Sequence, residues 1–347
     1  MKKELLLASA LVSTMGFASV ANAVTATMSG MHASGLQGDD TDAAADAIIS
    51  HDYKSDFTVS LSETTDGGIG ISSSFMLANE NAALHTAGLT LTFTDGSKLD
   101  VINGGNAAAS HDVSIPGSAG SPGVTVTSAN NAQTGLDFFN EATVVGVEWH
   151  SAADFMADGL KVSASISLDD GTAAAATAAL ESSWGLGATY VTSAGDTAIT
   201  VGAGVADSEF KDSGQDVQGS NGFHVGFSAV TGDLTVAAGY ADGDKIRVDP
   251  ESAIFNNSVS SVGVKYVTGD VTLSAGFTSA EGDDNTSNLT SASGSDDTKD
   301  ITSLGISYAV ASGVTANLGW KDIDAKDDGA NDTTGGSSWY VGATMSF

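Results

Sequence analysis

The last twelve residues of the chain, 336–347, alternate between apolar and small polar side chains. One face of this period-two pattern carries Trp339, Val341, Ala343, Met345 and Phe347. The other face carries Tyr340, Gly342, Thr344 and Ser346. Terminal strands of soluble proteins usually fray into polar residues. The pattern therefore predicts a strand whose apolar face is covered along its whole length.

The same alternation recurs in short segments separated by clusters of Gly, Asp, Ser and Asn, which is typical of an all-β protein. It predicts sixteen strands, at about 24–34, 55–65, 67–77, 87–94, 97–103, 142–150, 158–168, 183–192, 195–205, 222–230, 231–241, 258–267, 269–278, 301–310, 313–321 and 337–347. Tight turns rich in Asp and Gly alternate with long acidic connections that contain all three prolines. This layout predicts a 16-stranded antiparallel transmembrane β-barrel with short periplasmic turns and long external loops.

Aromatic side chains form two rows on the apolar face of the predicted strands. The row nearer the long loops comprises Phe57, Phe75, Trp184, Phe223, Tyr240, Phe277, Trp320 and Trp339. The row nearer the short turns comprises Phe93, Trp149, Tyr190, Tyr266, Tyr308 and Phe347. Aliphatic residues fill the space between the rows, as on a lipid-facing wall roughly 25 Å tall. A soluble β-sandwich is the alternative, but its core has no reason to confine aromatics to the strand ends.

The opposite face of the strands is rich in Ser, Thr and Gly. Its titratable residues are Lys98, Asp100, Glu148, His150, Lys161, His224, Lys265 and Lys321. These side chains face the lumen of a barrel but would face solvent in a sandwich. Sixteen strands leave a water-filled channel, whereas eight would close on their own side chains. The predicted number of strands therefore implies a pore.

The composition indicates an exported protein that does not bind nucleic acid. Residues 1–23 have the basic start, apolar centre and small-residue exit of a signal peptide, so the barrel is assigned to residues 24–347. The absence of cysteine excludes disulfides and thiolate metal sites. A net charge of −31 argues against nucleic acid as a partner.

Several features together resemble the general diffusion porins of Gram-negative bacteria, most closely the alphaproteobacterial type. They are the signal peptide, the sixteen alternating segments, hairpin patterns such as Gly187-Ala-Thr-Tyr190 and Gly263-Val-Lys-Tyr266, and the terminal Phe347. The resemblance implies an outer-membrane barrel that contacts lipid and lipopolysaccharide, passes small polar solutes and assembles as a homotrimer. It also implies that Phe347 is an assembly signal for the outer-membrane assembly machinery. Met345 is a minor departure, because Tyr is more usual there.

Porins of this family fold their third long loop into the barrel as a constriction. The resemblance assigns this role to residues 104–141. The family commonly opposes loop carboxylates with wall arginines, but the only Arg here is Arg247, in a predicted loop. We expect lysines on the lumen face to take this role more diffusely, although solvated wall residues are the alternative. The expected pore-lining set is Lys98, Asp100, Asp112, Asp137, Glu141, Glu148, Lys161, Lys265 and Lys321. The many carboxylates at the mouth predict weak cation preference.

The predicted loops also contain candidate ligands for a metal ion. Asp-rich segments in the predicted loops suit calcium, and the densest contains Asp322, Asp324, Asp327 and Asp328, although it lacks the Gly and Glu of an EF-hand. Solvated charge is the alternative, and we expect no required cofactor. The six histidines lack zinc-ligand spacing, and no Ser/His/Asp spacing indicates an enzyme. The alternatives to a diffusion channel are a structural or adhesive barrel with an occluded lumen and a substrate-specific channel.

Overall fold

The computed structural model describes residues 24–41, 48–78, 84–103, 106–117, 145–168, 179–212, 215–246, 254–283, 296–326 and 336–347. Sixteen antiparallel strands form one closed barrel, in which each strand pairs with its sequence neighbours and β1 pairs with β16. This confirms the predicted fold class. Within the described ranges, no helix is long and apolar enough to cross a membrane.

The strands follow one another around the barrel in chain order. They are β1 (Thr25–Thr41), β2 (Ile48–Thr64), β3 (Gly70–Ala78), β4 (Leu84–Thr92), β5 (Lys98–Asn103), β6 (Val145–His150), β7 (Leu160–Leu168), β8 (Ala179–Ala194), β9 (Thr197–Asp212), β10 (Gln215–Thr231), β11 (Leu234–Ile246), β12 (Ile254–Thr268), β13 (Val271–Asp283), β14 (Asp296–Ala311), β15 (Val314–Lys326) and β16 (Gly336–Ser346). A short 3-10 helix, Ala109–His111, follows β5.

The short connections lie at one end of the barrel. Three of them are two-residue turns that begin at Gly195, Gly232 and Gly269, whose φ angles are 60°, 55° and 58°. These left-handed angles favour glycine and match the twist of a hairpin. The predicted tight turns rich in Asp and Gly therefore form at these three positions.

Most strands extend further toward the long-loop end than the apolar alternation predicts. β2 begins at Ile48, and β9 and β10 stay paired as far as Asp212 and Gln215. The added residues are largely polar, so no apolar alternation marks them as strand. One consequence is that Phe57 lies well inside β2, with its ring centroid 6.3 Å from that of Phe347. The assignment of Phe57 to the long-loop row is therefore wrong.

The seam between β1 and β16 closes the barrel. The backbone of Phe347 exchanges two hydrogen bonds with Gly30, at 3.1 and 3.2 Å. On the lumen side, the Tyr340 ring is 1 % exposed and lies against the backbones of Gly35 and Gly342. A Cβ at Gly35 would sit 2.6 Å from the ring. The close approach of the ring to the wall therefore requires glycine.

Candidate functional site

Residues 106–117, here called the inner segment, lie inside the barrel. The Ala107 amide donates to Ser165 Oγ of β7 at 2.8 Å. His224 Nε2 of β10 lies 3.0 Å from the carbonyl oxygen of Ala108. Further along, Pro116 reaches the lumen face of β13 at Gly276. The inner segment therefore crosses the inner wall from β7 to β13 and occupies part of the channel cross-section.

A row of glycines on the lumen face makes room for this segment. We call it the glycine trough; it consists of Gly187, Gly202, Gly204, Gly226, Gly239, Gly263 and Gly276. Several are direct cross-strand partners, so the missing side chains form one continuous depression. A Cβ at Gly226 would lie 2.6 Å from Val113 Cβ, and one at Gly204 would lie 2.8 Å from Ala108 Cα. The segment thus approaches the wall more closely than any other residue type would allow.

Two histidines share one serine hydroxyl beneath the inner segment. His111 Nδ1 lies 2.7 Å from Thr189 Oγ1, and His111 Nε2 lies 2.8 Å from Ser163 Oγ. The same Ser163 Oγ lies 2.7 Å from His150 Nδ1. His150 Nε2 in turn lies 3.0 Å from Asp100 Oδ2. A continuous chain of hydrogen bonds therefore joins the segment to β5, β6, β7 and β8.

The His111 imidazole is held in its neutral form. Burial lowers the pKa of His111 to about 4, and electrostatic interactions with His150, His224 and Lys161 act in the same direction. Burial disfavours the charged form of an imidazole because the ring loses contact with water. His111 is 5 % exposed and is therefore neutral at pH 7.

The structure places the predicted pore residues unevenly. The residues of the set on strands have lumen-facing register; of these, Lys98, Lys161 and Lys265 are exposed. Glu148 is 5 % exposed and accepts a hydrogen bond from Ser110 Oγ at 2.6 Å, so the inner segment covers it.

The other residues of the predicted pore-lining set lie on the inner segment, on strands or outside the described residues. Asp112 is exposed on the inner segment, with Oδ1 3.8 Å from His224 Nδ1. Asp100 meets His150 in the hydrogen-bond chain, and Lys321 is partly buried on β15. Asp137 and Glu141 lie outside the described residues.

The part of the predicted calcium cluster that the structure describes lies in a strand and not in a loop. Asp322 and Asp324 lie within β15, on its outer face, so their assignment to a loop is wrong. The strand continues through them because its pairing with β14 extends beyond the apolar band. Asp327 and Asp328 lie outside the described residues. Among the residues that the structure describes, no group of three or more His, Asp or Glu side chains is arranged to hold a metal ion.

Sequence reasoning missed the residues that hold the inner segment. The regular glycines of the hairpin repeats are the feature of the sequence from which the glycine trough could have been predicted. Nothing in the spacing of Ser163, Thr189 and His111 indicates that they meet, because they lie 26 to 78 positions apart in the chain.

A closed barrel with an apolar outer wall, a polar lumen and a chain segment folded against its inner wall is the architecture of a membrane channel with a constriction. A family model described as Gram-negative porin matches residues 8–328 of the chain. The chain therefore belongs to the Gram-negative porin family, and it is an outer-membrane diffusion channel rather than an enzyme.

Solved structures share the fold at low sequence identity. The chain is similar to the in-vitro folded outer-membrane protein OmpT of Vibrio cholerae, with a TM-score of 0.64, 15 % identity and coverage of 96 % of this chain and 100 % of that chain. It is also similar to the outer-membrane channel DcaP of Acinetobacter baumannii, with a TM-score of 0.66, 12 % identity and coverage of 96 % and 100 %. An anion-selective porin from Comamonas acidovorans gives a TM-score of 0.63, 10 % identity and coverage of 93 % and 100 %. No curated protein sequence matches the chain.

Replacing Gly226 by Val should displace the inner segment. Overpacking a close contact costs about 1–3 kcal/mol, and movement away from the wall is movement into the lumen. We therefore expect a lower single-channel conductance in planar bilayers. Gly70→Ala is the matched control, because its Cβ would meet Thr92 Cβ at an ordinary 3.4 Å. Equal conductance in Gly226→Val and wild type would show that the segment does not depend on the trough.

Proposed function

We propose that the barrel is a general diffusion channel for small hydrophilic solutes and ions, with a weak preference for cations. The observation that carries this proposal is the inner segment, which narrows the lumen and presents the exposed carboxylate of Asp112. Exposed Lys98, Lys161 and Lys265 on the wall supply the opposite charge. Charges of both signs across a narrow aqueous gap favour polar over apolar solutes.

The preference for cations rests on the overall charge. A net charge of −31 attracts cations to the vicinity of the pore, and this attraction weakens as salt screens it. The fold does not decide the sign, since the similar porin from Comamonas acidovorans is described as anion-selective. We therefore propose that the balance of charge between Asp112 and the wall lysines is the local determinant of ion selectivity.

Asp112→Asn should reduce the cation-to-anion permeability ratio, because it removes the described carboxylate that the inner segment exposes to the lumen. The measurement is the reversal potential of single channels in a potassium chloride gradient. Asp324→Asn, on the outer face of β15, is the control and should leave the ratio unchanged. A clear anion preference of the wild type would refute the proposal.

The same recording separates the alternative functions. A steady ohmic current supports the diffusion channel. Absence of current from folded protein supports the structural barrel with an occluded lumen, and a current that saturates with one solute supports a substrate-specific channel.

We further propose that the protein assembles as a homotrimer through β1 and β2. On the outer face of these strands, His32 Nδ1 lies 2.7 Å from Ser55 Oγ and His51 Nε2 lies 2.8 Å from Ser34 Oγ. These four residues form the outer polar patch. They occupy the rows between Gly30, beside Phe347, and Gly38, beside Trp339, which is the level of the apolar band.

The outer polar patch is unfavourable against lipid. Polar side chains at this depth usually face protein or water. The corresponding band on β10 and β11 carries Val225, Phe227, Val236 and Ala238 instead. A second copy of the chain is the occupant that we propose, and one structure of Vibrio cholerae OmpT, with a TM-score of 0.62 to this chain, is described as a trimer form.

Replacing the patch by apolar residues, as His32→Leu, Ser34→Ala, His51→Leu and Ser55→Ala together, should shift the oligomer toward monomer. The substitutions remove both the cost of lipid exposure and the polar contacts between copies. Sedimentation in detergent measures the oligomeric state, and Ala229→Leu on the opposite wall is the control. A wild-type monomer would refute the trimer, and a trimeric quadruple variant would refute this surface, while the channel proposal depends on neither.

Two further roles stay predictions. We propose that Phe347, whose side chain is exposed on the outer face, is an assembly signal.

We also propose a calcium site that includes Asp322 and Asp324, for which calorimetric titration with calcium is the measurement. Heat of binding that is lost in Asp322→Asn with Asp324→Asn supports the site, and no heat in the wild type refutes it.

A further inference from the structure

We propose that His111 is the positioning residue of the constriction: its imidazole, bridged through Ser163 to His150, holds the inner segment against the wall and releases it in acid. This inference rests on the proposed channel function. It starts from the hydrogen-bond chain between Thr189 and Asp100, in which His111 is the member that belongs to the inner segment.

When both imidazoles are neutral, the hydrogen bonds of this chain have one consistent direction. The Asp100 carboxylate accepts from His150 Nε2–H, which leaves Nδ1 of a neutral His150 as an acceptor. Ser163 donates its single proton to that Nδ1 and accepts from His111 Nε2–H. His111 Nδ1 then accepts from Thr189 Oγ1–H. Every ring nitrogen is satisfied when both imidazoles are neutral, and the tautomer of each is determined.

A proton on His111 is opposed by its surroundings rather than by its hydrogen bonds. A protonated His111 would still donate to Thr189 and Ser163, but the ring is nearly buried and its electrostatic interactions with neighbouring basic side chains disfavour the charged form. The titratable groups around it are Asp100 on β5, Glu148 and His150 on β6, Lys161 on β7, His224 on β10 and Asp112 on the inner segment itself. Glu148 is already bound to Ser110, and Asp100 is bound to His150, so neither carboxylate contacts His111 in the described hydrogen bonds.

The sign of the pH dependence follows from the lowered pKa. In the held segment the pKa of His111 is about 4, whereas an exposed histidine has a pKa of about 6.5. The released segment therefore binds a proton more readily, and the held state loses stability as the pH falls from 6.5 toward 4. At pH 5 the ratio of held to released segment should be about 30-fold lower than at pH 8, by proton linkage.

Release should narrow and destabilise the open pore. The inner segment lies in the glycine trough, so the wall blocks movement outward and displacement is toward the lumen axis. The other anchors, at Ala107, Ala108 and Ser110, retain the segment inside the barrel. We therefore expect brief partial closures in acid rather than a permanently altered conductance.

The test compares closure frequency in planar bilayers from pH 8 to pH 4.5. In the wild type, partial closures should become at least several-fold more frequent between pH 6.5 and pH 4.5. His111→Gln keeps a neutral donor and acceptor but cannot titrate in this range, so its closures should be rare at every pH. His111→Leu removes both hydrogen bonds, so its closures should be frequent at every pH. Asp196→Asn, at an exposed position in the short turn between β8 and β9 that takes part in none of the proposed contacts, is the control and should behave as wild type.

The outcomes separate this proposal from the channel proposal. A wild-type protein that conducts steadily at every pH, or a His111→Gln variant whose acid closures match those of the wild type, overturns the role of His111 and leaves the channel intact. A folded wild-type protein without conductance at any pH refutes the channel itself. If His111→Leu fails to fold, the comparison of His111→Gln with wild type still decides.

Discussion

The structure depends on the requirement that backbone amides and carbonyls inside a membrane be hydrogen-bonded within the protein. A sheet meets this requirement only when its edges pair, and the pairing of β1 with β16 accomplishes this. The alternation of side chains then assigns an apolar face to lipid and a polar face to water. The Phe347 backbone hydrogen-bonds to Gly30 at this seam, and the Tyr340 ring lies against Gly35 on its inner side.

The same alternation explains how the lumen accommodates a folded segment. The barrel wall is a single layer of strands, so a loop can lie close against it only where the inward-facing side chains are absent. The glycines of the trough provide this space on consecutive strands from β8 to β13. Glycine weakens a strand because it loses more backbone freedom on folding and has no side chain to pack. The closed ladder tolerates this weakness, since both edges of every strand are hydrogen-bonded.

The polar anchors give the constriction a character different from an array of ion pairs. His111 and His150 are connected through the hydroxyl of Ser163, and Glu148 is bound by a serine rather than by an arginine. Asp112 and the exposed wall lysines are thereby left to face the solution. Anchoring and the electrostatics of permeation therefore use largely separate residues in the described part of this channel.

Sequence reasoning reached the fold because the relevant signals are local. A period of two, a turn such as Thr231-Gly-Asp233 and the number of strands are all readable within a few residues, and together they imply a closed cylinder. The strand ends were harder to find. The long-loop ends of β2, β9 and β10 carry many polar residues and no regular apolar alternation, so only their pairing with neighbouring strands shows that they are strands. For this reason the sequence pattern places Phe57 too near the long loops and Asp322 in a loop, although Asp322 lies on the outer face of β15.

The sequence by itself determined the class of protein, the face of each strand and the glycine content of the lumen wall. Only the tertiary structure decided that Thr189, Ser163 and His111 meet, and that Glu148 is covered while Asp112 is exposed. The physical reason is that the first set of properties follows from neighbours along one strand. The second set follows from the path of a loop across many strands, which depends on the register of the whole barrel.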